Sequence, residues 1–172
     1  MKMTDFFSAQ VEREAPVSRR VLERVPEGKN AWKPHEKSMP LGYLATLVAS
    51  MPSWIAYAIT LDELDINPAG GSKYKPADMT TARALVESQE EAVGKALAAL
   101  RGTNDDHLRT PWKLLAADRV VAQDPRYIVI ADAFTHLAHH RGQLTVYLRL
   151  NGAAVPSVYG PSADERGFGP SS

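Results

Sequence analysis

Three of the chain's five histidines fall within five residues, His136, His139 and His140 in the run FTHLAHHRGQL. On an α-helix, residues four apart lie one turn apart on the same face, so His136 and His140 project side by side and can chelate one metal ion. His139 is rotated by about 100° from His140 and cannot readily share that ion. Neutral imidazoles suit zinc, nickel, iron or copper, and a catalytic ion needs at least one further protein ligand. Asp132, one turn before His136, is the candidate third ligand, or the group that holds an imidazole through its second nitrogen. Gln143 and Tyr147 extend the stripe three and seven residues past His140 and are candidate pocket-lining side chains. The bland alternative is a chance pair on an ordinary helical domain, and no catalytic residue is assigned.

The elements that must position this pair are punctuated clearly. A first helix is expected over about Asp5 to Arg24, capped by Thr4 or Asp5 and stopped by Pro26 and Gly28, with Pro16 kinking or splitting it. A second starts at Ser38-Met39-Pro40 and runs to about Leu61; it is apolar nearly all round, with Pro52 bending it. Such a bend is more often tolerated packing than the mark of a cavity. A polar connector of about twenty residues, long enough to act as a lid or crossover, leads to a third helix from Thr80 or Thr81 to about Leu100. Trp112 to Leu115 and Arg119 to Gln123 read as a small hairpin around an Ala-Asp turn. Asp124-Pro125 then reads as cap and first-turn proline of a fourth helix, Arg126 to Leu150, closed by Asn151-Gly152. The pattern is all-α: a single helical-bundle domain over residues 1–172, with the Gly/Pro/Ser-rich stretch 155–172 an extended tail packing on the bundle.

Composition narrows the function classes. With 20 Lys+Arg against 20 Asp+Glu the formal net charge is zero, so the clustered basic footprint of a general nucleic-acid binder is missing. No run approaches the ~18 apolar residues of a membrane span. The amino-terminal stretch does not read as a secretory signal. The chain has no cysteine, which rules out disulfides, thiolate metal sites and a cysteine nucleophile. A cytoplasmic location is the expectation.

Three stretches, KSMPLGYLATLVASMPSW, THLAHHRGQLTVYLRLNG and VPSVYGPSADE, together resemble the DinB-like family, the damage-inducible bundle group that includes bacterial thiol transferases. The resemblance covers nearly the whole chain. It implies a four-helix bundle in an up-down-down-up arrangement, often dimeric, that holds a divalent metal through three histidines. Two of those carry over by position to His136 and His140. The third does not: where the family commonly has His after leucine-alanine-x, this chain reads Leu44-Ala45-Thr46-Leu47, making Leu47 a pocket-lining candidate in place of a ligand. Glu63 or His107 are alternative donors.

Two readings follow. In one, the chain is a metal-dependent enzyme of the thiol S-transferase or hydrolase type, with zinc or nickel on an incomplete histidine triad and a small-molecule substrate, such as a low-molecular-weight thiol. In the other it is a non-catalytic bundle that binds a small molecule or a partner and has lost its metal. A homodimer is expected, with Phe6 and Phe7 as a plausible face, and neither nucleic acid nor membrane as a partner.

Overall fold

The computed structural model describes residues 1–71 and 79–166. In chain order these form α1 (Met3–Leu22), α2 (Leu41–Ser50), α3 (Ser53–Thr60), β1 (Glu63–Asp65), α4 (Ala82–Arg101), α5 (Asp105–Leu108), β2 (Pro111–Ala116), β3 (Arg119–Pro125) and α6 (Arg126–Leu150). The architecture is mostly helical, with one three-stranded sheet. Among the described residues, no single helix is long and apolar enough to cross a membrane.

α1 starts at Met3, ahead of the expected Thr4 or Asp5 cap, because the Asp105 carboxylate reaches over to accept from the Met3 and Thr4 amides at 3.0 and 3.3 Å. Pro16 lies inside α1 without splitting it. The expected second helix does divide at Met51-Pro52, where α2 and α3 meet at a 49° bend. A proline there removes one backbone donor, and its ring crowds the preceding turn. α2 also approaches the preceding loop closely at Gly42, where a Cβ would stand 2.9 Å from Asn30 Cβ.

The bend splits the interior in two. Leu41, Leu44 and Val48 of α2 pack with Val21, Leu22, Leu85, Leu144 and Leu148. Ile55 and Ile59 of α3 pack instead with Phe7, Val11, Leu100, Leu108 and Ile130. Each fully buried leucine or isoleucine contributes roughly 1.5–3 kcal/mol. Trp54 packs against both clusters.

The sheet is more than the expected hairpin. β2 and β3 pair antiparallel around Ala117 and Asp118, which sit in the left-handed region at φ 52° and 61°, as a tight primed hairpin turn requires. β1, from within the polar connector, adds in parallel on the far side of β2. The Asp65 carboxylate then accepts from the amides of Asn67, Ala117 and Asp118, and these bonds hold its pKa below the ordinary range despite the opposing desolvation.

α6 spans Arg126–Leu150 as expected, but its start is not capped by Asp124: Pro125 is the N-cap position, with no side-chain cap bond, and Asp124 belongs to β3. Gly142 of α6 has open space where a Cβ would stand, so no close helix approach requires it. The tail lies back on the helices: Ser157 is buried, Arg24 pairs with Glu165, and Arg149 Nη2 donates to Asp164 Oδ2 at 2.5 Å. The remainder of the expected tail, 167–172, lies outside the described residues.

Candidate functional site

α6 presents two adjoining stripes. Ile130, Ala133, Leu137, Leu144 and Leu148 recur at helical spacing and are buried. Beside them, Val129, Asp132, Ala133 and His136 recur three, four and seven residues apart and form one wall of a cavity of about 630 Å³. Met51 and Trp54, at the bend between α2 and α3, form a second wall. The third is one face of the sheet: Trp112 and Leu114 of β2 alternate, and their cross-strand partners are Asp124 and Ala122 of β3. Successive strand residues point to opposite faces, so these four share a face. Ile66, just past β1, adds an apolar edge.

One member of the histidine pair stands at this cavity. His136 is exposed and lines it; His140, one turn on, is buried. Their Nε2 atoms are 2.8 Å apart, and His140 Nδ1 lies 3.0 Å from Gln143 Oε1. An amide oxygen only accepts, so with Gln143 Oε1 as partner Nδ1 of His140 is the donor. Where both rings are neutral, His136 then donates from Nε2 to His140 Nε2 and keeps Nδ1 as an acceptor among the described residues. Desolvation, followed by the adjoining imidazoles of His140 and His139, pushes the His136 pKa below the ordinary histidine value. The ring favours its neutral form.

The remaining candidates are distributed unevenly. Asp132 and His139 line the cavity, and Asp132 makes no hydrogen bond to an imidazole among the described residues. Gln143 orients His140. Tyr147 is away from the cavity: its hydroxyl donates to the Met39 carbonyl at 3.3 Å and its ring meets Trp32 edge-on. Leu47 is half-buried on α2 and is not among the cavity's lining side chains. His107 places Nε2 2.9 Å from the Ile59 carbonyl, and Glu63 is held in β1 opposite Lys113.

Two converging imidazole nitrogens fit half of a metal site. Nitrogens bound at about 2.0–2.1 Å to one ion require only a small opening of the 2.8 Å pair and loss of the proton between them. The other half is missing: among the described residues no three His, Cys, Asp or Glu side chains converge on one point. The donor set therefore does not fit the three-histidine site implied by the resemblance.

Trp112, Ala122 and Asp124 were open to discovery only through the hairpin's register. Trp112 reads in the sequence as the start of a hairpin strand, and Asp124 as a helix cap. Trp112 is 2% exposed, and its indole Nε1 has no hydrogen-bond partner among the described residues.

Comparisons agree with this architecture. A crystal structure of a DinB-like protein from Bacillus cereus superposes with a TM-score of 0.69 at 21% identity, covering 89% of this chain and 95% of that one. A DinB-like protein of Bacillus subtilis, YjoA, gives 0.65 at 18% identity, covering 87% and 94%. Likeness at this level of identity speaks to the fold. The uncharacterized protein YrdA of Bacillus subtilis is 30% identical over 86 residues, so that the match spans about half of each chain. The DinB family model matches residues 6–167, nearly the full sequence, and the chain belongs to the DinB family.

Proposed function

We propose that this chain binds a small, largely apolar molecule in the cavity between α6 and the sheet, with the His136–His140 pair at the ligand's polar end. The observation that carries this reading is the cavity itself: about 630 Å³, within the range of small-molecule sites, mainly apolar, with a few polar groups on α6 and Asp124 on the sheet. Trp54, Trp112, Met51 and Leu114 supply apolar contact. His136, neutral with Nδ1 free, accepts a hydrogen bond or a proton from the ligand, while Gln143 fixes the tautomer of His140 behind it.

A second reading, a metal-dependent transferase or hydrolase, is favoured by the convergence of the two Nε2 atoms at 2.8 Å. An ion there would supply Lewis acidity toward a bound thiol or water. The incomplete donor set is the reason the binding reading stands first.

The test uses the neutral fluorescent probe N-phenyl-1-naphthylamine on untagged protein whose metal content has been measured. One probe equivalent is expected to bind in the absence of metal, and Ala122→Trp, which fills the cavity from the sheet, should abolish binding without altering the circular dichroism. A folded protein that ignores the probe sinks the binding reading. Copurification of about one equivalent of zinc or nickel, lost in His136→Ala, establishes the metal-dependent one.

A further inference from the structure

We infer that the cavity selects a cationic ligand, an amine or quaternary ammonium carried on an aromatic or alkyl body, and turns away ligands that bear a carboxylate. This rests on the binding role proposed above and adds the class of molecule. Among the described residues lining the cavity, the only carboxylates are Asp124 and Asp132, and no lysine or arginine stands with them. Neither carboxylate has a hydrogen-bond or ion-pair partner among the described residues.

The sequence places both there for identifiable reasons. Asp124 is kept in β3 directly opposite Trp112, and cross-strand neighbours bring their Cβ atoms within about 4.5–5.5 Å. A carboxylate and an indole thus share one patch of the cavity wall. Asp132 comes from α6, one turn before His136. The nearest cation along the chain, Arg126, is buried and fully engaged: it donates to the carbonyls of Ala58 and Leu61, to Thr110 Oγ1 at 2.8 Å and to Asp62 Oδ1 at 2.7 Å.

An anion entering this space meets two exposed carboxylates that have no partner among the described residues, and their repulsion acts most strongly at low ionic strength. A cation relieves both, and it also gains from an adjacent tryptophan. Its hydrocarbon body takes the place of water against Met51, Trp54 and Leu114.

Displacement of N-phenyl-1-naphthylamine by three probes of similar shape tests this: 2-phenylethylammonium, 2-phenylethanol and 3-phenylpropionate, at low ionic strength and neutral pH. The ammonium should displace at about tenfold lower concentration than the propionate, with the alcohol between them, and added salt should narrow the interval. In an Asp124→Asn, Asp132→Asn double variant the alcohol should behave as before while the ammonium loses its advantage. Propionate matching or beating the ammonium, no displacement by any of the three, or an advantage untouched in the double variant overturns the inference while leaving the apolar site standing. Failure of the naphthylamine to bind at all removes the site and the inference together.

Discussion

Arg141 Nη2 donates to Glu14 Oε2 at 2.5 Å inside the protein, one residue after His140. Arg141 is fully buried, and its other amino group donates to Ser18 Oγ at 2.9 Å. Tyr159, from the tail, donates its hydroxyl to the same Glu14 oxygen at 2.9 Å and carries its ring 5.0 Å from the guanidinium. The pair ties α6 to α1 at one rotation about the helix axis. Since His136 lies on an adjacent stripe of α6, that rotation sets it against the cavity, with the buried His140 one turn behind it.

Removing the cation should therefore be costly. Arg141→Met strands the Glu14 carboxylate in the interior, and breaking a buried pair from one side costs about 3–5 kcal/mol. At about 2–4 °C per kcal/mol for a chain of this size, urea and thermal unfolding should show the melting temperature falling by roughly 6–20 °C. A Glu14→Met, Arg141→Met double variant should regain most of the loss, because an apolar pair leaves no uncompensated charge. If the double variant proves no more stable than Arg141→Met, charge burial is not the cause.

The tail should come free in acid. Asp164 accepts from Arg149 and from the Val155 amide, and Glu165 accepts from the Ser157 amide at 2.8 Å and pairs with Arg24. These bonds hold both carboxyls below the ordinary carboxylate range, Arg149 being the first cause for Asp164 and the Ser157 amide for Glu165. Carboxyls depressed on folding stabilise the attached state fully above their unfolded values of about 4, and that contribution is lost as pH falls through the depressed folded values. Backbone amide resonances of Val155 and Ser157 should accordingly move toward unstructured positions below about pH 4 while Leu144 and Leu148 remain native-like. Tail and helices losing structure at the same pH would show that these two carboxylates do not govern the attachment.

The sequence carried the helices and the histidine pair because both are local. Caps, prolines and 3.6-residue periodicity act within a few positions, and so does the His136–His140 spacing. The bend at Pro52 was legible for the same reason. β1 was not: a three-residue strand with only Leu64 buried leaves no periodic signal, and its pairing with β2 is distant in sequence. Asp124-Pro125 satisfied the rule for a helix start, yet the strand continued through it, since cross-strand pairing with Pro111 and Trp112 extends to Pro125. The buried Arg141–Glu14 pair leaves no local signal either, because the two residues are 127 positions apart. What the sequence hides is thus mostly the sheet side of the cavity, where lining is set by register between strands.

Position 47 tests how α2 faces the histidine pair. Leu47, the position at which the resemblance implies a third ligand, is half-buried on a helix that packs on α6. Two imidazoles with no third protein ligand hold an ion weakly; losses even of outer partners typically weaken binding by about 10–100-fold. Leu47→His should raise zinc affinity at least about tenfold in calorimetric titration, and cobalt should acquire the intense visible absorption of a four-coordinate site. Adding His140→Ala should erase the gain, since the new imidazole then has only His136 to work with. No gain from Leu47→His, in protein that keeps its helical dichroism, would mean that α2 does not bring this position to the pair, and the missing third ligand would then be a consequence of backbone geometry as well as of residue type.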